Sequence, residues 1–293
     1  ATADRTGTLS VDAVDKLRGA RLTSALVPAD LGGGGASHVE MGRILRVLGR
    51  FDPATAVTLS MHSHLVAAQV WRHHHGQDAT AVFEKVVGGA FLISTGASDW
   101  VGSNGTAQRV DGGYRVSARK SPASGCEVGT VLATSVRWSD APERPQVLHC
   151  SVPFAAAGVS IEKTWDTLGL RATGSHTVVL EDVFVPDAAV SLIRTADVWH
   201  PIWNTVIGAA LPLIMSAYVG IADAAVAASL DVVRGRTDRH VVQLTGEMLN
   251  AHTTGADAVD AMLNSSENLR FDNTDEHASK TLSRKTVAAD ALM

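Results

Sequence analysis

Cysteine is almost missing from this chain: 293 residues include two, Cys126 and Cys150. Two thiols exclude a disulfide scaffold and any cysteine-based zinc site, and they suit a reducing cytosol. An excess of basic charge is missing as well. Lys and Arg number 25 against 30 for Asp and Glu, a formal net charge of −5, so the electrostatic footprint of a nucleic-acid binder is absent. Residues 1–15 have neither a basic n-region nor an apolar h-region, and no targeting segment is expected there. The chain also lacks internal repeats and low-complexity tracts. What it has is core material. At 45% hydrophobic and 19% charged residues it is neither disordered nor fibrous, and its length suits about two domains of ~150 residues.

One long stretch lacks charge altogether. Between Asp197 and Asp223 there is no Asp, Glu, Lys or Arg, which is long enough to span a bilayer. Pro201, Asn204, Pro212 and Ser216 interrupt it and its flanks are acidic, so it reads as a helix buried in a bundle rather than a membrane span. Pro212 is expected to kink or break that helix, because proline removes a turn's amide.

The first ninety residues read as helical. Ser37-His38-Val39-Glu40 fits a capping box, followed by Met41, Ile44, Leu45 and Leu48 at helical spacing. Asp52-Pro53 is a second start signal, for a helix to about His73; the glycines 32–35 read as a flexible connector. Near Phe91 the period changes from 3.6 to 2. Asp111-Gly112-Gly113 predicts a tight turn joining 106–110 to 114–119, with Tyr114, Val116 and Ala118 on one face. Further strands are expected at 131–136, 147–152, 159–163 and 177–185, closed by Pro186-Asp187. From about Trp199 the pattern is helical again, with helices over 241–263 and from about His277. The fold class is therefore α+β: an N-terminal helical domain (1–89), a central antiparallel β-barrel or sandwich (90–190), and a C-terminal helical bundle (191–293).

Four local runs, in order, strengthen that architecture. They are SALVPADLGG (Ser24–Gly33), FLISTGASD (Phe91–Asp99), GGYRVSARKSPASG (Gly112–Gly125) and DTLGLRATGSHTVVLEDVFVP (Asp166–Pro186). Together they resemble the acyl-CoA dehydrogenase family, whose fold is shared with flavin-dependent two-component monooxygenases. The resemblance implies an FAD held by the β domain. It places Phe91, Ile93, Ser94 and Thr95 along the pyrimidine side of the ring, Ser98 near the flavin or the substrate's entry, and Pro122 and Ser124 where the family has an aromatic and a small hydroxyl against the ring. Pro122 departs from that pattern, since proline cannot stack as tryptophan does. Arg171 and Ser175 lie in the best-matching run, and the arginine reads as an organiser of the β domain rather than a ligand contact.

The resemblance also implies an acyl-CoA or related small-molecule substrate, an electron acceptor or flavin reductase, and a homodimer or homotetramer, while the cysteine count, net charge and broken apolar stretch lead to the expectation of a cytoplasmic location, no nucleic-acid partner and no membrane span. A dehydrogenase needs a carboxylate held in an apolar pocket to remove the proton alpha to the thioester. One family position for it falls within Trp199–Ala222, which has no carboxylate. The other would lie beyond Met293, and the C-terminal bundle reads as incomplete. The catalytic base is thus unassigned. The first expectation is alpha,beta-dehydrogenation of an acyl thioester; the alternatives are a reduced-flavin-dependent monooxygenase and a catalytically silent binding subunit.

The family's Arg-x-x-Phe-Gly motif is replaced by Arg234-Gly235-Arg236-Thr237-Asp238-Arg239, which reads as a solvated inter-helix turn. His62 and His64 lie two apart on one helix and point in different directions; they read as packing residues. His73, His74 and His75 read as an exposed helix end favoured by the helix dipole, and no metal site is expected.

Overall fold

A computed structural model of the chain describes residues 5–292. By internal contact the chain groups into two units, each made of two separated stretches. The first takes residues up to 19 together with 88–203, and the second takes 20–87 together with 204 onward.

The first unit is built on strands. Helix α1 (Val11–Gly19) precedes β1 (Leu92–Ile93), β2 (Thr106–Val110), β3 (Gly113–Lys120), β4 (Val131–Trp138), β5 (Gln146–Pro153), β6 (Val159–Glu162), β7 (Thr177–Pro186) and β8 (Val190–Thr195). They form two four-stranded sheets, ordered β1-β4-β5-β8 and β2-β3-β7-β6. One apolar core serves both: Phe91, Ile93, Leu132, Leu148 and Val152 come from one sheet, and Tyr114, Val116, Val178 and Leu180 from the other. This is the expected sandwich. The hairpin turn is where the glycines put it, with Val110 opposite Gly113 and Gly112 at a φ of 72° that favours glycine.

Two details differ from the expectation. The pairing of β1 with β4 is parallel. The β region also does not close at Pro186-Asp187: a short turn leads into β8, which pairs with β5 in the other sheet. Val190–Thr195 alternates in burial, but Ile193 faces outward and Arg194 is buried, so the polarity of its side chains does not show the alternation that marks a strand.

The second unit is helical: α2 (His38–Phe51), α3 (Pro53–His74), α4 (Thr80–Val87), α5 (Ile202–Val232), α6 (Arg239–Ser265) and α7 (Asp275–Leu292). The capping box forms as expected, the Ser37 hydroxyl accepting from the Glu40 amide while the Glu40 carboxylate accepts from the Ser37 amide. Asp52 caps α3 by accepting from the Thr55 amide. The 32–35 connector is not loose: the amides of Gly34, Gly35 and Ala36 donate to the carbonyls of Ser24, Val27 and Ala25. Nor does Pro212 break its helix. Helix α5 runs unbroken across it for 31 residues, because buried Ile207, Ala209, Leu213 and Ala217 outweigh one missing hydrogen bond. By length and composition α5 could cross a bilayer, yet 67% of its most apolar window is buried within the protein.

Candidate flavin-binding site

The site expectation rests on two segments of the first unit: Phe91–Ser98, running out of β1, and Pro122–Ser124, following β3. The fold brings them together. A Cβ placed on Gly96 would meet Pro122 Cδ at 3.1 Å and the Ser121 carbonyl at 3.5 Å, with Ser98 Oγ at 3.7 Å. The bend after β1 thus lies directly on the segment after β3.

The seven expected residues divide into three groups. Phe91 and Ile93 are fully buried in the core shared by the two sheets. The Phe91 amide donates to Thr130 Oγ1 at 2.8 Å, and the Arg18 guanidinium lies 5.7 Å over its ring. These side chains support the strand, and the Phe91 carbonyl accepts from the Thr130 amide at 2.9 Å, so the Phe91 backbone is held by Thr130 on both sides. Ser98 and Pro122 are exposed and flank Gly96.

Ser94, Thr95 and Ser124 supply hydroxyls. Ser94 Oγ is buried and has no hydrogen-bond partner among the described residues. Since a buried hydroxyl without a partner is costly, it fits an absent polar ligand atom. Thr95 Oγ1 donates to Asp99 at 3.2 Å. Ser124 Oγ lies 2.8 Å from Ser175 Oγ, itself 2.7 Å from Thr173 Oγ1, which donates to the Leu170 carbonyl at 3.0 Å. Ser175 thus joins the segment after β3 to the turn before β7. Arg171, read as an organiser of the β domain, is bonded to the Thr167 carbonyl at 2.9 Å and to Asp166 at 3.2 Å.

Beneath the bend lies an ion pair that the sequence reading did not single out. Lys120 Nζ donates to Asp99 Oδ2 at 2.9 Å, with both side chains buried, and to the Asn104 carbonyl at 3.2 Å. Burial pushes the ammonium below its usual pKa, while Asp99 acts in the other direction. Arg194 holds the same bend from β8, donating to the backbone carbonyls of Asp99 and Val101 at 3.1 and 2.7 Å and to His149 Nε2 at 2.9 Å. Burial and the Arg194 charge press the His149 pKa down to about 3, so its Nε2 stays an acceptor. The signal for Lys120 was present. It has the same parity as Tyr114, Val116 and Ala118, so the period-2 pattern points it inward, where a lysine needs a carboxylate.

Most of the histidines and arginines singled out elsewhere bond to the protein itself, His64 excepted, whose buried Nδ1 has no hydrogen-bond partner among the described residues. His62 and His64 are both buried; His62 Nε2 bonds the Thr23 carbonyl at 2.8 Å, and burial holds the His64 pKa at about 4. His74 bonds the Leu269 carbonyl at 3.1 Å, and His75 stacks on Trp71. Among the described residues no cluster could hold a metal ion. Arg234 and Arg236 pair with Asp231 and Asp238 in an exposed turn.

Comparison with known proteins gives several similarities. Residues 1–81 match the family model described as acyl-CoA dehydrogenase, N-terminal domain. The chain is 29% identical over 194 residues to the putative acyl-CoA dehydrogenase YdbM of Bacillus subtilis, a match covering 63% of this chain and 50% of YdbM. It is 36% identical over 148 residues to the oxygenase component of the FADH2-dependent resorcinol hydroxylase of a Rhizobium species, covering 46% of this chain and 36% of that protein. These matches thus span half or less of either relative's length. Among solved structures, KijD3 in complex with FMN and a dTDP-linked amino-keto sugar superposes with a TM-score of 0.82 at 25% identity, over 99% of this chain and 74% of KijD3.

Proposed function

We propose, from the premise that this chain belongs to the acyl-CoA dehydrogenase-fold family, that it is the oxygenase component of a two-component flavin-dependent monooxygenase, using FAD or FMN reduced by a separate reductase. The observation that carries this reading is chemical. The segment before Asp223, where a dehydrogenase can place its proton-abstracting carboxylate, has none from Trp199 to Ala222, and the expected flavin segments supply hydroxyls. The likeness to the FADH2-dependent oxygenase component supports it, as does the FMN bound by KijD3.

In this reading the reduced flavin supplies the two electrons that activate dioxygen. The chain binds and orients it. Ser94 and Ser124 hydrogen-bond the ring, and the Gly96 backbone and Pro122 shape its edge. The Lys120–Asp99 pair and Arg194 hold the bend still, and the core around Phe91 and Ile93 keeps water from its back. Holding such groups in place before the reaction is how a scaffold contributes to cofactor chemistry.

The test is a pair of experiments, the first in air on the protein supplied with flavin and a reductase, the second without oxygen on the protein loaded with oxidised flavin. Oxygen consumption and substrate hydroxylation that depend on added reduced flavin and a reductase are expected. Bleaching of bound oxidised flavin by an acyl-CoA, without oxygen, would instead establish acyl thioester dehydrogenation, the second reading, favoured by the likeness to YdbM.

A further inference from the structure

The peptide bond between Asn104 and Gly105 lies where the fold both exposes it and activates it. Asn104 alone among the asparagines precedes glycine. Packing demands that glycine: its φ is 91°, and a Cβ there would strike Ala118 Cβ and the Ser117 carbonyl, both at 2.6 Å. Asn104 is exposed. Among the described residues its hydrogen bonds run through the backbone, so the carboxamide is free to turn. It lines an open hollow of about 500 Å³ with Gly105, Ser117, Arg119 and Glu181, which gives water access. The backbone of Asn104, by contrast, is tied to the buried ion pair. Its amide donates to Asp99 Oδ1 at 3.2 Å, and its carbonyl accepts from Lys120 Nζ at 3.2 Å. An ammonium on that carbonyl draws electron density out of the Asn104–Gly105 peptide. It thereby favours the deprotonated amide nitrogen, the form that attacks.

We propose that Asn104–Gly105 is a self-modification site, at which the Gly105 nitrogen attacks Asn104 Cγ and the resulting ring opens to aspartate or isoaspartate. The Gly105 amide proton passes to water, the new N–Cγ bond closes a succinimide, and the carboxamide nitrogen leaves as ammonia. Water then adds to one of the two ring carbonyls. Breaking the N–Cγ bond leaves aspartate on an unchanged backbone. Breaking the original peptide bond leaves isoaspartate, with the chain running through Cγ. One water is taken up for one ammonia lost, and nothing is oxidised or reduced. The products differ at Lys120. In isoaspartate the former backbone carbonyl is a carboxylate, so one buried ammonium faces two carboxylates and the second is uncompensated. The main chain also gains one atom just ahead of β2, whose register starts with Thr106 opposite Ser117. Either that register or the Lys120 contact gives way, and the bend over Asp99 loosens. The step from a loosened bend to weaker flavin binding rests on the flavin reading above; the modification itself does not.

The test ages the whole chain at mildly alkaline pH in heavy-oxygen water and maps its peptides by mass spectrometry. Asn104→Gln, Asn104→Asp and wild type held in urea are aged beside it. Heavy oxygen is expected at residue 104 of the folded wild type, as a mixture of aspartate and isoaspartate. It should be missing from Asn104→Gln, whose longer side chain closes a larger ring poorly. Thermolysin should cut residues 99–106 of the isoaspartate form roughly tenfold faster than those of fresh protein, the worth of about one hydrogen bond to a charged group. Asn104→Asp keeps the normal backbone and should be cut at the wild-type rate. Folded wild type that stays unmodified while the urea-unfolded chain reacts overturns the proposal, because the fold then shields the site. Equal cutting of the aspartate and isoaspartate forms overturns the link to Lys120. Affinity for FAD and FMN, measured on the same fractions, is expected to fall in the isoaspartate form alone. Fresh wild type that binds neither overturns the flavin reading and leaves the peptide map to decide the modification.

Discussion

Lys120 and Asp99 show what a single pair contributes at the residue scale. Each would carry an uncompensated buried charge without the other, so breaking the pair costs far more than the pair itself is worth. Lys120→Met is expected to destabilise the protein by about 3–5 kcal/mol, and adding Asp99→Asn should recover part of that loss. Urea unfolding of the two variants measures it, and equal stability of Lys120→Met and wild type would refute the account. The same scale shows where sequence reading stops. The fold brings the two expected site segments together, Gly96 of the first lying against Pro122 of the second. Thr173 and Arg194 were not found. One meets Ser124 through Ser175, and the other reaches Asp99 from a strand 95 residues away. Such partners follow from tertiary folding, and no local spacing encodes them.

Helices α2 and α5 show how elements approach one another through glycine. A Cβ on Gly49 would collide with the Ala217 carbonyl, and one on Gly220 with the Arg46 carbonyl, so the two backbones touch without side chains between them. Arg46 then reaches Asp223 in a two-pronged ion pair at 2.7 and 2.8 Å, and His252 on α6 bonds the same carboxylate at 2.7 Å. Gly220→Ala is expected to force the helices apart at a cost of about 1–3 kcal/mol, lowering the thermal midpoint; an unchanged or higher midpoint would contradict it. Ser37→Ala should cost about 1 kcal/mol through the lost cap, seen in the same measurement. The elements themselves were the most legible part of the sequence. The capping box, the Asp52-Pro53 start, the Asp111-Gly112 turn and the alternation of β3 are local signals, and each formed where it was read. Strand β8 and the unbroken α5 were misread because burial and cross-strand pairing, both non-local, decided them.

At the scale of the whole molecule, stability should depend on acid through histidine. Burial lowers the pKa values of His38 and His64 from 6.5 to about 4. The unfolded chain therefore takes up protons at these sites as pH falls below about 6.5, while the folded chain does not until about 4. Their contribution to stability is complete above pH 6.5 and declines as pH drops toward 4. Denaturant unfolding at pH 7 and pH 5 should differ by about 2 kcal/mol for each of the two; equal stability at both values would show that they do not stay neutral. The interleaved order of the chain has a consequence for synthesis. Residues up to 19 belong with 88–203, and 20–87 belong with the stretch from 204 onward. A ribosome delivers the chain from its N-terminus, so the helices at 38–74 emerge long before α5 and α6, their packing partners. They must wait with apolar faces uncovered while the sandwich is completed, which makes this early stretch the place where a chaperone would be needed first.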